Sequence, residues 1–360
     1  MSDTLLDTGH TAAVTDIAAN ANGRHLATAS VDGTVRVYES VTSSSKEASQ
    51  YKGGPQPTTW SLVAVLQCCC EDQVATVTCV AWAPTAFYTA ALVTCTEGSN
   101  EVALWFDVGN DAQYRKIYVY TLATAGWCVA WAPHEYGKLF AVGCADGAVV
   151  VFTGGPDGTW DIHSFESHPH GCSGLAFSPF FPPGALLMAP LEKDFGAALG
   201  MAPPLPLAPP RLVTCGGGRL VKLWTHSFAP RPAGEGSGAP LESVWSSVEL
   251  EAPEVSGTPV WREVSWAPNL GLPFTYIAAG SEDGLVAVWS QDGPASHQWQ
   301  CRLLPPPHGT SGESVTKLSW SLVGTFLLVS YADGTVAMWK EAGNQGEWRV
   351  VSELENPTTL

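Results

Sequence analysis

One pattern recurs six times along the 360 residues, so any fold for this chain has to use the same unit six times over. Its first half is an apolar run that usually closes on Trp-Ala-Pro: VTCVAWAP (77–84), WCVAWAP (127–133) and VWREVSWAP (260–268). AVTDIAAN (13–20), CSGLAFSP (172–179) and SVTKLSWSL (314–322) are variants of it. Its second half is two apolar runs about a tight acidic turn, ending in an aromatic: LATASVDGTVRVY (26–38), LFAVGCADGAVVVF (139–152), YIAAGSEDGLVAVW (276–289) and LLVSYADGTVAMW (327–339). LVTCTEGSNEVALW (92–105) and LVTCGGGRLVKLW (212–224) are degenerate copies.

The Asp-Gly pairs at 32–33, 146–147, 283–284 and 333–334 lie between alternating apolar runs, where Gly tolerates the positive φ of a tight hairpin. A further strand-like run follows each aromatic, at 61–67, 114–120, 160–166, 244–250, 299–304 and 348–354. Each repeat therefore holds four antiparallel strands, which is the layout of a propeller blade. The first strand is apolar on both faces, with Val77, Cys79 and Ala81 against Val80 and Trp82, as expected of a sheet sandwiched between neighbours. A β-sandwich built of similar hairpins is the alternative, but sandwiches do not repeat one four-strand unit six times. The expected fold is all-β: a single six-bladed propeller over residues 1–360, with loop insertions at 41–58, 180–210 and 227–241 whose Ser, Gly and Pro content is that of loops.

Most propellers of this kind close by letting an N-terminal strand complete the last blade. Here the last repeat carries its own fourth strand, WRVVSEL, and the first repeat begins after about a dozen residues. All six blades are then self-contained and nothing hydrogen-bonds the sixth to the first. The ring is expected to be open, with two apolar blade faces able to accept one more blade by strand addition. Leu5, Leu6, Val14, Ile17, Leu26, Val315, Leu318, Trp320 and Leu328 are the candidate lining of that groove, and TLLDT (4–8) is a segment placed to run along it.

Charge and chemistry exclude several other functions. With 34 acidic against 17 basic residues the net charge is −17, which opposes sequence-independent binding to nucleic acid or anionic lipid. No apolar run reaches the about 18 residues of a membrane span, and the acidic N-terminus lacks a secretory layout, so a cytosolic location is expected. The ten cysteines are then read as reduced thiols, with Cys79, Cys95, Cys128, Cys144, Cys172 and Cys215 as small buried hydrophobes. Cys68-Cys69-Cys70 has the wrong spacing for a zinc site. The Gly-rich runs at 153–158 and 216–218 lack a phosphate-binding Gly-Lys-Ser/Thr ending, and Gly-Cys-Ser-Gly (171–174) misses the spacing of a nucleophile elbow. His168 and His170 have no second ligand cluster, while Asp32, Asp146, Asp283 and Asp333 follow the repeat as turn residues. No catalytic residue, metal or cofactor is assigned.

Whole phrases carry a more specific likeness. WCVAWAPHEYGKLFAVGCADGAVVVF (127–152), GTWDIHSFESHPHGCSGLAFSP (158–179), RLVTCGGGRLVKLW (211–224), VWREVSWAPNLGLPFTYIAAGSEDGLVAVW (260–289) and SVTKLSWSLVGTFLLVSYADGTVAMW (314–339) resemble the Sec-thirteen family, the small WD-repeat propellers of the COPII outer coat and nuclear pore Y-complex. The resemblance covers residues 10 to 355 and implies an open six-bladed propeller without enzymatic activity. It implies a seventh blade donated by a large α-solenoid coat subunit of COPII or by a solenoid nucleoporin, with a nutrient-signalling coat-like complex as a further setting. It implies locations at endoplasmic reticulum exit sites, COPII vesicles and the nuclear pore, with no membrane insertion. The homologous Y-complex and nutrient-signalling propeller, and a self-closed adaptor that reads peptides, are the alternatives. One departure is Thr96-Glu97-Gly98-Ser99-Asn100, which replaces the Asp-based turn in the second blade.

Overall fold

A computed structural model gives the tertiary arrangement of residues 6–41, 59–68, 75–88, 90–109, 113–181, 209–229, 242–253, 259–269, 273–292, 298–307, 312–343 and 346–354. Among these residues twenty-four strands form six four-stranded sheets, each a consecutive antiparallel meander. Blade 1 is β1 (Val14–Ala19), β2 (His25–Ser30), β3 (Thr34–Val41) and β4 (Thr59–Gln67). Blade 2 is β5 (Thr76–Trp82), β6 (Ala91–Glu97), β7 (Glu101–Asp107) and β8 (Tyr114–Thr121), and blade 3 is β9 (Gly126–Trp131), β10 (Leu139–Cys144), β11 (Ala148–Gly154) and β12 (Trp160–Glu166). Blade 4 is β13 (Gly174–Phe177), β14 (Arg211–Cys215), β15 (Val221–Ala229) and β16 (Glu242–Leu250). Blade 5 is β17 (Trp261–Trp266), β18 (Phe274–Ser281), β19 (Val286–Asp292) and β20 (Gln300–Leu304), and blade 6 is β21 (Val315–Trp320), β22 (Phe326–Tyr331), β23 (Val336–Ala342) and β24 (Glu347–Leu354). The expected six blades are the observed ones.

The turns form for the reason the sequence suggests. Gly33, Gly147, Gly284 and Gly334 all take φ between 79° and 92°, and Asp32, Asp146 and Asp333 each accept the backbone N–H two residues on. The departing turn of blade 2 is solved differently: Asn100 takes the positive φ of 53°, and the Thr96 hydroxyl oxygen accepts the Glu101 N–H at 3.0 Å. The insertion expected at 227–241 begins later than expected, because Ser227–Ala229 continue β15 in register with Glu242–Val244 of β16. Val41 likewise still belongs to β3. Residues 42–58, 182–208 and 230–241 of the three insertions lie outside the described residues.

The core is divided among the blade interfaces. One apolar cluster lies between each successive pair of blades, five in all among the described residues. The interface of blades 2 and 3, for instance, packs Val93, Leu104, Phe140 and Phe152, with the two Phe rings stacked at 4.5 Å. The repeated tryptophan at the end of the first strand has a part in this: Trp82 Nε1 donates to Ala18 O at 3.0 Å and Trp320 Nε1 to Ser265 O at 3.4 Å, each reaching into the preceding blade. Cys79, Cys95, Cys144, Cys172 and Cys215 are buried free thiols and Cys128 is half-buried. Gly143 shows why small residues dominate there: a Cβ on it would stand 2.6 Å from the sulfurs of both Cys128 and Cys172.

Candidate partner slot between the first and last blades

No apolar cluster joins blade 6 to blade 1 among the described residues. β1, β5, β9, β13, β17 and β21 follow one another around the axis, with close packing between consecutive members. The final sheet takes all four of its strands from the last repeat, and among the described residues β1 pairs only with β2.

The consequence is plain when blade 6 is laid on blade 5 by strand register. Leu304 pairs with Val286 at the end of blade 5 as Leu354 pairs with Val336 at the end of blade 6. In the same register Ala278 corresponds to Leu328 and Val288 to Met338. In blade 5 this face is covered by blade 6, and Ala278, Val286, Val288 and Leu304 are at most 4% exposed. In blade 6 the corresponding Leu328, Val336 and Met338 are only half-buried and Leu354 is 46% exposed. Phe326 belongs to the same face, with the Lys340 ammonium 5.0 Å from its ring.

Blade 1 shows the other wall. Ile17 pairs with Thr28, Leu26 with Tyr38, and Tyr38 in turn with Leu62, so these side chains share the face turned away from blade 2. Ile17, Leu62 and Val65 are 49, 47 and 45% exposed there. Val14, 45% exposed, stands on the same face because a bulge between Val14 and Asp16 shifts the register. The segment before β1 covers part of this wall: Thr8 O accepts from Tyr38 Oη at 2.6 Å and from Arg36 Nη1 at 3.0 Å. His10 joins Asp32 at 2.9 Å and Thr28 at 2.8 Å. Burial opposes ionisation of Asp32, but hydrogen bonds from Thr34, Thr11 and His10 outweigh it and hold the carboxyl well below its ordinary range.

At the inner rim the two ends of the ring meet through charge. Lys317 Nζ of β21 lies 3.0 Å from Asp16 Oδ1 of β1 and 3.5 Å from Glu263 Oε1 of β17. Asp16 is itself fixed to blade 2, since its other oxygen accepts the Val80 N–H at 3.0 Å. Glu263 and then Asp16 push the Lys317 amine up, against burial, while burial pushes the Glu263 carboxyl up. This clasp lies on the central channel, a cavity of ≈ 170 Å³ to which all six first strands contribute.

Of the residues singled out from the sequence, Val14, Ile17, Leu26 and Leu328 stand on the open faces. Val315, Leu318 and Trp320 do not: they point the other way, into the interface with blade 5, where Val315 and Leu318 are buried. The cause is the period of two in a strand, interrupted by a bulge between Val315 and Lys317, which puts Lys317 and Ser319 on the open side instead. Leu6 is half-buried, and Leu5 lies outside the described residues. Leu62, Val65, Val336, Met338 and Leu354 were missed. Aligning the repeats by their Asp-Gly turns and marking apolar residues of the last repeat at positions buried in the fifth would have found the latter three.

The remaining sequence candidates have structural roles. His168 is 3% exposed and its Nε2 lies 2.9 Å from Thr214 Oγ1, which also accepts from Trp224 Nε1 at 2.9 Å. Among the described residues no three His, Cys, Asp or Glu side chains come together as a metal site would require, and no helix is long and apolar enough to cross a membrane.

The family model for the WD domain, G-beta repeat, matches residues 3–39 and 299–340, which fall in the two blades flanking the gap and at the end of the fifth. "Protein transport protein SEC13" of Mycosarcoma maydis is 29% identical over 98% of this chain and 94% of its own length. The protein of the same name from Cryptococcus neoformans is 28% identical over 98% of this chain and 97% of its own. Over nearly its whole length the chain is similar to these Sec-thirteen proteins. The human "Protein SEC13 homolog" is 28% identical over 59% of this chain and 56% of its own length. The solved structure of Chaetomium thermophilum Sqt1 bound to the N-terminus of the ribosomal protein L10 superposes with a TM-score of 0.58 at 19% identity, over 97% of this chain and 76% of its own. At this identity the likeness is one of fold alone.

Proposed function

We propose that this Sec-thirteen-like propeller is a non-enzymatic scaffold subunit in protein transport, and that it works by accepting a seventh blade from a partner into the gap between blades 6 and 1. The observation that carries the reading is the unequal burial of equivalent residues: Leu304 is 4% and Leu354 46% exposed. An apolar face of this size gains from being covered. A three- or four-stranded sheet supplied by another chain covers both walls by the same face-to-face packing that joins the other blades. The names of the curated relatives support a place in protein transport. Within that setting the partner is a large α-solenoid subunit, of the COPII outer cage in transport from endoplasmic reticulum to Golgi, or a solenoid nucleoporin of the nuclear pore Y-complex. A rigid ring fixed to such a solenoid stiffens it.

Co-expression tests this. The chain alone is expected to self-associate through its open faces. The strand-forming segment of a COPII α-solenoid subunit should convert it to a 1:1 complex on size-exclusion chromatography with a raised melting temperature. A well-behaved monomer whose elution and melting temperature ignore that segment refutes the donated blade.

A further inference from the structure

Half a turn around the ring from the gap, between blades 3 and 4, is a cavity of ≈ 380 Å³, within the range that encloses small ligands or a single long side chain. Its two walls are aromatic. On one side Tyr136, from the short 3-10 turn His134–Tyr136, meets Phe180 edge-on at 5.1 Å. On the other, Trp245 of β16 lies 5.1 Å from the His226 ring of β15, and Phe228 closes on the same imidazole at 4.9 Å.

Glu135 and Asp161 bring carboxylates to the lining, and neither Lys nor Arg is part of it. Arg211, whose charge reaches Tyr136, lies over the Trp266 ring at 5.2 Å, and Lys138 over Tyr88 at 5.4 Å. Glu135 has only its exposed neighbour His134 at 3.3 Å, and Asp161 has no ion-pair partner among the described residues. Burial, and then the charge of His163, push the His226 imidazole below its ordinary range, and the ring is bonded to Ser243 Oγ at 2.8 Å.

Aromatic faces with unneutralised carboxylates at the rim attract a cation, since the ring quadrupoles and the carboxylates act in the same sense. Phe228 of the lining is 65% exposed, and Phe181, edge-on to Phe180 at 5.4 Å, is 42% exposed, which is apolar surface for more than an isolated ion to cover. The net charge of −17 draws basic chains towards the ring. We propose that the cavity between blades 3 and 4 receives an arginine or lysine side chain of a partner polypeptide, whose flanking apolar residues lie on Phe181 and Phe228. It is independent of the slot and gives the propeller a second contact on the opposite side.

The test uses the full chain and fluorescein-labelled octapeptides that differ only at one central position: arginine, lysine or norleucine. Fluorescence anisotropy should show the two cationic peptides binding at least tenfold more tightly than the norleucine one. The double variant Glu135→Gln/Asp161→Asn should lose about tenfold of that affinity and Phe228→Ala about fivefold. Glu282→Gln/Glu347→Gln, which removes the same charge elsewhere, should leave it unchanged. Equal binding of the norleucine peptide, or equal loss in the control variant, overturns the proposal. Binding of the seventh-blade segment should be normal in all these variants, so a failure here leaves the slot reading standing.

Discussion

Leu304 and Leu354 are the same residue at the same position of successive blades, and they differ in whether another blade stands in front of them. Replacing each by alanine therefore measures the gap directly. Leu304 is 4% exposed and packed among Ala278, Val288 and Val329, so its truncation loses transfer energy and leaves a cavity, about 3 kcal/mol in all. Leu354 is 46% exposed, so only about half the transfer energy is at stake and solvent fills the space, for about 1 kcal/mol. Urea unfolding followed by tryptophan fluorescence should then separate the two variants by on the order of 2 kcal/mol. With a donated blade in the slot the order of sensitivity changes: Leu354→Ala should weaken that complex about tenfold, which is ~1.4 kcal/mol, while Leu304→Ala weakens it little. If the isolated Leu354→Ala protein loses as much stability as Leu304→Ala, the face of blade 6 is already covered and the reasoning fails.

Three further outcomes follow from particular contacts. Trp224 Nε1 only donates, which leaves the Thr214 hydroxyl proton for His168 Nε2 and keeps that imidazole neutral; burial and then Lys222 lower its pKa to about 4. Because the unfolded chain takes up that proton first, stability should fall by about 3 kcal/mol as pH drops from about 6.5 to 4, and a His168→Gln variant in urea titrations should lack this step. Lys317→Met should lower stability by about 1 kcal/mol, a surface-type magnitude since the side chain is 46% exposed, and should speed amide exchange in β1 and β21 by leaving Asp16 and Glu263 without their shared cation. The raised Lys317 pKa keeps that contribution whole below about pH 10.4, the unfolded lysine value, and it declines as pH rises further. Gly143→Ala should cost about 1–3 kcal/mol through its clash with the Cys128 and Cys172 sulfurs, measured by thermal unfolding, and Cys172→Ala should recover part of the loss.

The local units are encoded in short stretches of the chain. Asp-Gly turns, alternating strands and the closing tryptophan recur six times, and each feature acts within about forty residues, so blade number, strand order and most strand boundaries were legible. The vacancy was legible too, as a count of strands. Which side chains line it was not. Val315, Leu318 and Trp320 are as apolar as Leu328 and Met338, and only the register of β21 and β22 against the neighbouring blade assigns them to opposite faces. The bulge in β1 that turns Val14 to the same side as Ile17 is a further case. The clasp of Asp16, Lys317 and Glu263 joins positions 301 residues apart at its widest, and the cavity of Tyr136, Phe180, His226 and Trp245 draws on two blades. Contacts of that kind exist because the ring brings its ends and its neighbouring blades together in space, and a periodic sequence carries no mark of which of its repeats will meet.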